Sequence, residues 1–147
     1  MKGMVNMKKI IALLLGAVIT ASGFAALAQN EVTVNFEGQK MEFDVSPFIE
    51  NESTLMPVRA IFQATGASVN WDNDTKTVLI VSDDNGEQKF IIMQIGNPDV
   101  FVNGEKKTLS IAAKIVGDRT FVPLRFIMET LGRDVSWDEN TRTVNIK

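Results

Sequence analysis

The sequence contains no cysteine, no histidine and no tyrosine. Without cysteine there is no disulfide framework, no thiolate nucleophile and no lipid attachment at a leader cut site. Without histidine as well, ordinary zinc and copper ligand sets are excluded, and so are Ser-His-Asp and Cys-His nucleophile systems. No copper, other metal or cofactor is therefore expected. What remains is Ser/Lys chemistry or paired carboxylates of the glycosidase kind, for which Asp72, Asp74, Asp138 and Glu139 could be cast.

Basic charge is also scarce. The chain has 15 Lys and Arg against 18 Asp and Glu, a formal charge of −3. Three of the lysines, Lys2, Lys8 and Lys9, precede an uncharged run from Ile10 to Ala28 that ends in the small-x-small triplet Ala26-Leu27-Ala28. This is the pattern of a secretory signal over residues 1–28, cut after Ala28. Retention as a membrane anchor is the alternative, because the run approaches the roughly 20 apolar residues that span a bilayer. Cleavage removes the three lysines and takes the formal charge from −3 to −6. So acidic a chain has no footprint for nucleic acid or for anionic polymers. Residues 29–147 suffice to bury a core of their own, and the expected location is the cell envelope or the exterior.

What the sequence does contain is a repeated phrase. Shifted by 66 residues, Val34–Ile80 aligns without a gap on Val100–Ile146. Identical pairs include Gly38/Gly104, Pro57/Pro123, Arg59/Arg125, Gly66/Gly132, Trp71/Trp137, Asp72/Asp138 and Thr75/Thr141. The reading is a tandem duplication, with repeats at about 32–81 and 98–147 joined by a strand at 88–96.

Each repeat carries the same order of periods. Alternation through Val32, Val34 and Phe36, then Met41, Phe43 and Val45, flanks Glu37-Gly38 and predicts a hairpin. In the second repeat Val100 and Val102 precede Asn103-Gly104, a stronger turn signal. A short extended piece ends at Pro57 or Pro123, and proline suits the first turn of the helix that follows. Leu124, Ile127, Met128 and Leu131, and Val58, Ile61 and Phe62, form the buried stripe of that helix, which Gly132 or Gly66 stops. A strand ending in Trp and a strand starting near Thr77 or Thr143 then form a hairpin across "DNDTK" or "DENTR", with an Asp-led turn. Asn85-Gly86 marks a further hairpin between Val78–Val81 and Phe90–Ile95, and "DDNGE" at 83–87 reads as that turn, not as a calcium loop. The fold class is α+β: two tandem repeats of short antiparallel strands, each with one short helix on the sheet.

These residues resemble the copper amine oxidase N-terminal domain, or stalk domain. Asn103, Gly104, Pro123, Leu124, Arg125, Gly132, Trp137, Asp138 and Thr141 fit its pattern in the second repeat. The first is looser, with Glu37 before Gly38 and Val58 for leucine. The resemblance implies an exported bacterial envelope protein of a kind that accompanies wall hydrolases and other surface enzymes. It does not bring copper, since amine oxidases hold the metal with histidines and build their quinone from a tyrosine.

Arg59 and Arg125 open helices, where the macrodipole disfavours a cation, so a partner carboxylate is expected, with Asp72 and Asp138 the first candidates. Trp71 and Trp137 read as core residues, with sugar stacking the functional alternative. Two classes of function remain open. One is an exported non-catalytic module that binds a cell-wall component or envelope protein or acts as a scaffold, with self-association through a sheet edge as a variant. The other is a small secreted carboxylate-dependent hydrolase acting on wall glycan. A homogeneous repeat without an asymmetric insertion favours the first.

Overall fold

The computed structural model describes residues 31–147; the leader assigned to residues 1–28 lies outside them. Strand β1 (Thr33–Phe36) turns at Glu37-Gly38 into β2 (Gln39–Lys40). Glu37 and Gly38 have φ of 49° and 81°, the double positive φ of a type I′ turn that matches strand twist. The alternation through Met41, Phe43 and Val45 implies a longer second strand, but strand pairing stops at Lys40. The Met41 N–H still bonds the Val34 carbonyl at 2.8 Å, and beyond it the Asp44 carboxylate accepts the Val45 N–H at 2.9 Å.

Two further hairpins precede the helices: β3 (Phe48–Glu50) with β4 (Ser53–Pro57), and later β10 (Lys114–Val116) with β11 (Arg119–Pro123). The sequence reading gave only single extended pieces here. The turn residues Asn51-Glu52 and Gly117-Asp118 all have φ near 50–60°. Helix α1 (Val58–Thr65) follows β4 and helix α2 (Leu124–Thr130) follows β11. Pro57 and Pro123 are not in the first helical turn but one residue before it, with extended ψ of 130° and 112°. Each is the last residue of its strand, so the strand ladder sets its backbone.

The remaining strands are β5 (Ser68–Asp72), β6 (Thr77–Asp84), β7 (Glu87–Gln94), β8 (Asp99–Val102), β9 (Glu105–Thr108), β12 (Val135–Asp138) and β13 (Thr143–Ile146). They make three sheets in the orders β12-β13-β1-β2, β10-β11-β4-β3 and β5-β6-β7-β8-β9. In the middle sheet β11 and β4 run antiparallel with Val122 opposite Met56, both fully buried. In the first sheet β1 runs parallel to β13, with Val34 beside Val144 and Phe36 beside Ile146. That pairing departs from the all-antiparallel expectation. In the five-stranded sheet the positions corresponding to these, Val100 and Val78, are not neighbours; Met93 of β7 lies between them, antiparallel to both.

One continuous core runs under all three sheets, including Val34, Met56, Ile61, Ile80, Met93, Val122 and Ile127. A smaller cluster joins Leu55, Ile111 and Phe121, with the Phe48 ring 4.9 Å from that of Phe121. Arg133 ties the first hairpin to the far end of the chain, donating to Glu37 Oε1 at 2.7 Å with its guanidinium 5.0 Å over the Phe36 ring.

Candidate functional site

A groove of about 740 Å³ lies between α2, the β12–β13 hairpin, residues 109–111 and the turn before β4. Its apolar lining comes from Leu124, Ile111 and Val144, all buried, with the half-buried Phe126 and Val135. These are core-facing residues whose outer atoms the groove reaches.

Charge is arranged along one wall. Arg125 donates from Nη1 to the Val135 carbonyl at 2.8 Å and to Glu129 Oε1 at 3.2 Å, one helical turn on. Trp137 Nε1 donates to Glu139 Oε2 at 2.6 Å. The Arg142 guanidinium stands 5.9 Å from the Trp137 ring centroid, a cation–π contact. Arg142 Nε is buried and has no acceptor among the described residues. A buried donor left unmade costs about 1–3 kcal/mol. At one side Ser53 Oγ lies 3.5 Å from Ser110 Oγ. The positions 66 residues away are Arg119 and Asp44, which instead form an ion pair at 2.6 Å. The two ends of the molecule thus differ at equivalent places.

The residues singled out in the sequence are only partly brought together. Arg125, Trp137 and Glu139 share the groove; Arg59 and Trp71 do not line it. Arg59 has no ion pair among the described residues, and Arg125 is held by Glu129 and a carbonyl, so the expected pairing with Asp72 and Asp138 does not form. Those aspartates are committed to their turns. Asp72 Oδ1 accepts the N–H groups of Asp74 and Thr75, each at 2.9 Å, and Asp138 Oδ1 accepts those of Asn140 at 2.9 Å and Thr141 at 3.4 Å. The Thr75 backbone bond is the main reason the Asp72 carboxyl sits below its usual range. Asp44 is lowered chiefly by its bond to Arg119, and Asp99 by its bond to Lys106.

Trp71 was expected in the core but is 42% exposed, while Trp137 is half-buried against the core. Among the described residues no cation covers Trp71 as Arg142 covers Trp137, since position 76 is Lys, and Lys76 Nζ turns away to Asn73 Oδ1 at 2.9 Å. The "DDNGE" stretch is the β6–β7 turn, with Gly86 N–H on Asp83 Oδ1 at 3.0 Å. Arg142 and Glu129 were missed. Their signal was present: Arg142 ends the turn that Trp137 begins, and Glu129 lies four residues after Arg125.

Comparison with known proteins finds that residues 35–146 match the model of the copper amine oxidase N-terminal domain, as a single match. A protein from Brevibacillus choshinensis named protease inhibitor is 27% identical over 115 residues, which cover 78% of this chain and 34% of the relative. The chain therefore spans about a third of that relative's length.

Proposed function

This chain belongs to the copper amine oxidase N-terminal domain family, whose domain is a non-catalytic module, and we propose that it acts as an exported, non-catalytic binding module of the cell envelope. The observation that carries the reading is the groove. It combines an apolar lining with a buried, unpaired Arg142 Nε and a half-buried Trp137, and two of its three glutamates, Glu129 and Glu139, are tied to neighbours. This suits an extended peptide segment, with a carbonyl or carboxylate on Arg142 and an apolar side chain over Leu124 and Val144. Peptide is common to surface proteins and to wall components. The name of the Brevibacillus relative favours a protein partner, an exposed loop of a protease being one case.

We further propose that the residue 66 offset is a tandem duplication making one module over residues 29–147, linked by the strand at 88–96. The matched order of hairpin, helix and hairpin supports it. The hydrolase alternative has less support, because Asp72 and Asp138 are spent on turn N–H groups.

The test is capture of the purified protein on isolated cell walls and, separately, on envelope extracts. Trp137→Ala and Arg142→Ala are expected to lower capture at least about tenfold, the loss of one desolvated charged hydrogen bond. Moderate salt should not weaken it, since the formal charge is −6 after the three leader lysines are removed. Wall fragments released in a carboxylate-dependent way, or copper-dependent amine oxidation, would overturn the non-catalytic reading.

A further inference from the structure

The outer face of the five-stranded sheet carries a row that crosses every strand: Asn70, Leu79, Ile92, Phe101 and Lys106, each opposite the next. The buried residues beside them, Val78, Ile91, Met93 and Val100, point to the core, so this row points away from it. Ile92 and Phe101 are 42% and 40% exposed, and Phe90, one step along β7, is 41% exposed. An apolar surface of this kind needs a reason.

The four-stranded sheet at the other end supplies an internal control. Its corresponding row is Ser136, Asn145, Asn35 and Lys40, with Asn35 Nδ2 donating to Asn145 Oδ1 at 3.1 Å. The same backbone positions are therefore filled by polar residues, in a sheet that differs only in lacking the intervening strand β7. The fold does not require Leu79 and Phe101 to be apolar.

We propose that this face is a homodimer interface, formed by packing the five-stranded sheets of two copies face to face about a two-fold axis parallel to β7. Three features favour a second copy as the occupant. The β5–β6 side of the face holds a shallow hollow of about 330 Å³ lined by Asn70, Thr77, Leu79 and Ile92, while Phe101 projects on the β8 side. The two-fold lays β8 of one copy over β6 of the other, and so seats each Phe101 at the other copy's hollow. Charge matches in the same way. Lys106 stands on the β9 edge and Asp72 at the end of β5, and the axis superposes those edges twice, with Asp72 two residues along β5 from Asn70, the position that Lys106 faces. Lys106 already contacts Asp99 at 2.7 Å within its own chain, and its ammonium has donors to spare. The area fits a weak association. Strands about 4.8 Å apart, eight residues long in β6 and β7 but only four or five in β5, β8 and β9, give a face on the order of 470 Å² per copy. That is well under the ~800 Å² of a standard interface and in the range of weak, transient association.

Such a dimer leaves the groove of each copy open and makes the module bivalent. The test is sedimentation equilibrium of the purified protein from low to high micromolar concentration. A concentration-dependent dimer is expected. Leu79→Asn with Phe101→Asn, which installs the residues of the other sheet, should weaken it at least about tenfold while the thermal transition persists, whereas Trp137→Ala should leave it unchanged. Asn70→Lys places a second cation opposite Lys106 and should weaken the dimer; adding Lys106→Glu to the same chain should reverse that loss. A monomer at every concentration, a dimer indifferent to the paired asparagines, or no reversal by Lys106→Glu would overturn the proposal.

Discussion

The two ends of this molecule are written in nearly the same words yet bury them differently. In α2 the stripe Leu124, Ile127 and Met128 is buried, with Met128 fully so. In α1 only Ala60 and Ile61 are buried, and Phe62, at the position of Met128, is 54% exposed. Thr65 stands where Leu131 does, and it spends its hydroxyl on the Ile61 carbonyl at 2.7 Å. The family pattern therefore fixes the backbone path, and the content of the stripe decides which end carries the packing. The same division explains the site. The end with the better filled helix also has Arg142 over Trp137 and the open groove, while the other end closes its counterpart with the Arg119–Asp44 pair.

The largest test separates the ends. Because β1 pairs with β13 and β8 reaches β6 only through β7, neither half owns a complete sheet. Residues 29–86 expressed alone should show no cooperative thermal transition, and a sharp one would break the comparison. Next comes the helix pair. Met128→Ala should cost about 2–5 kcal/mol in urea unfolding, whereas Phe62→Ala should stay within about 0.5 kcal/mol. Equal losses would mean that Phe62 carries as much packing as Met128 and would break the comparison.

Acid unfolding gives a finer contrast. The folded Asp72 carboxyl lies below its ordinary value of 3.8, so its contribution is fully present above that pH and is lost as pH falls through the depressed value. Asp72→Asn leaves only a neutral acceptor for the turn, so it should lower stability modestly at neutral pH and flatten the curve below about pH 4, where the two proteins converge. The smallest effect concerns Arg125 and Glu129, both more than half exposed. Glu129→Gln should cost about 0.5 kcal/mol or less, read from the thermal midpoint, and salt should erase it.

Much of the path was legible because its signals are local. Asn85-Gly86 and Asn103-Gly104 sit where hairpins turn, Asp72 and Asp138 lead theirs, and Gly66 caps α1 at φ 75°. What escaped notice depends on partners far away in the chain. The parallel meeting of Val34 with Val144 leaves no mark within either strand. The hairpin at Asn51-Glu52 puts a glutamate at positive φ, which that side chain seldom takes, whereas Gly117-Asp118 is a favourable turn pair whose signal went unused. Half of the candidate site could be read, in Arg125 and Trp137. Arg142 could not be recognised as a buried donor without knowing what packs above it.

Strand β7 sits between two strands that run the same way, leaving the end of β6 and delivering the chain to the start of β8. At the other end β13 finishes beside Phe36 and β1 starts beside Thr143, the same arrangement without a connecting strand. An eight-residue strand copied from β7, joining Lys147 to Val32 and parting β13 from β1 to take its place between them, would therefore complete a ring. Such a chain would have no topological beginning, and new termini could be opened at any of its exposed two-residue turns.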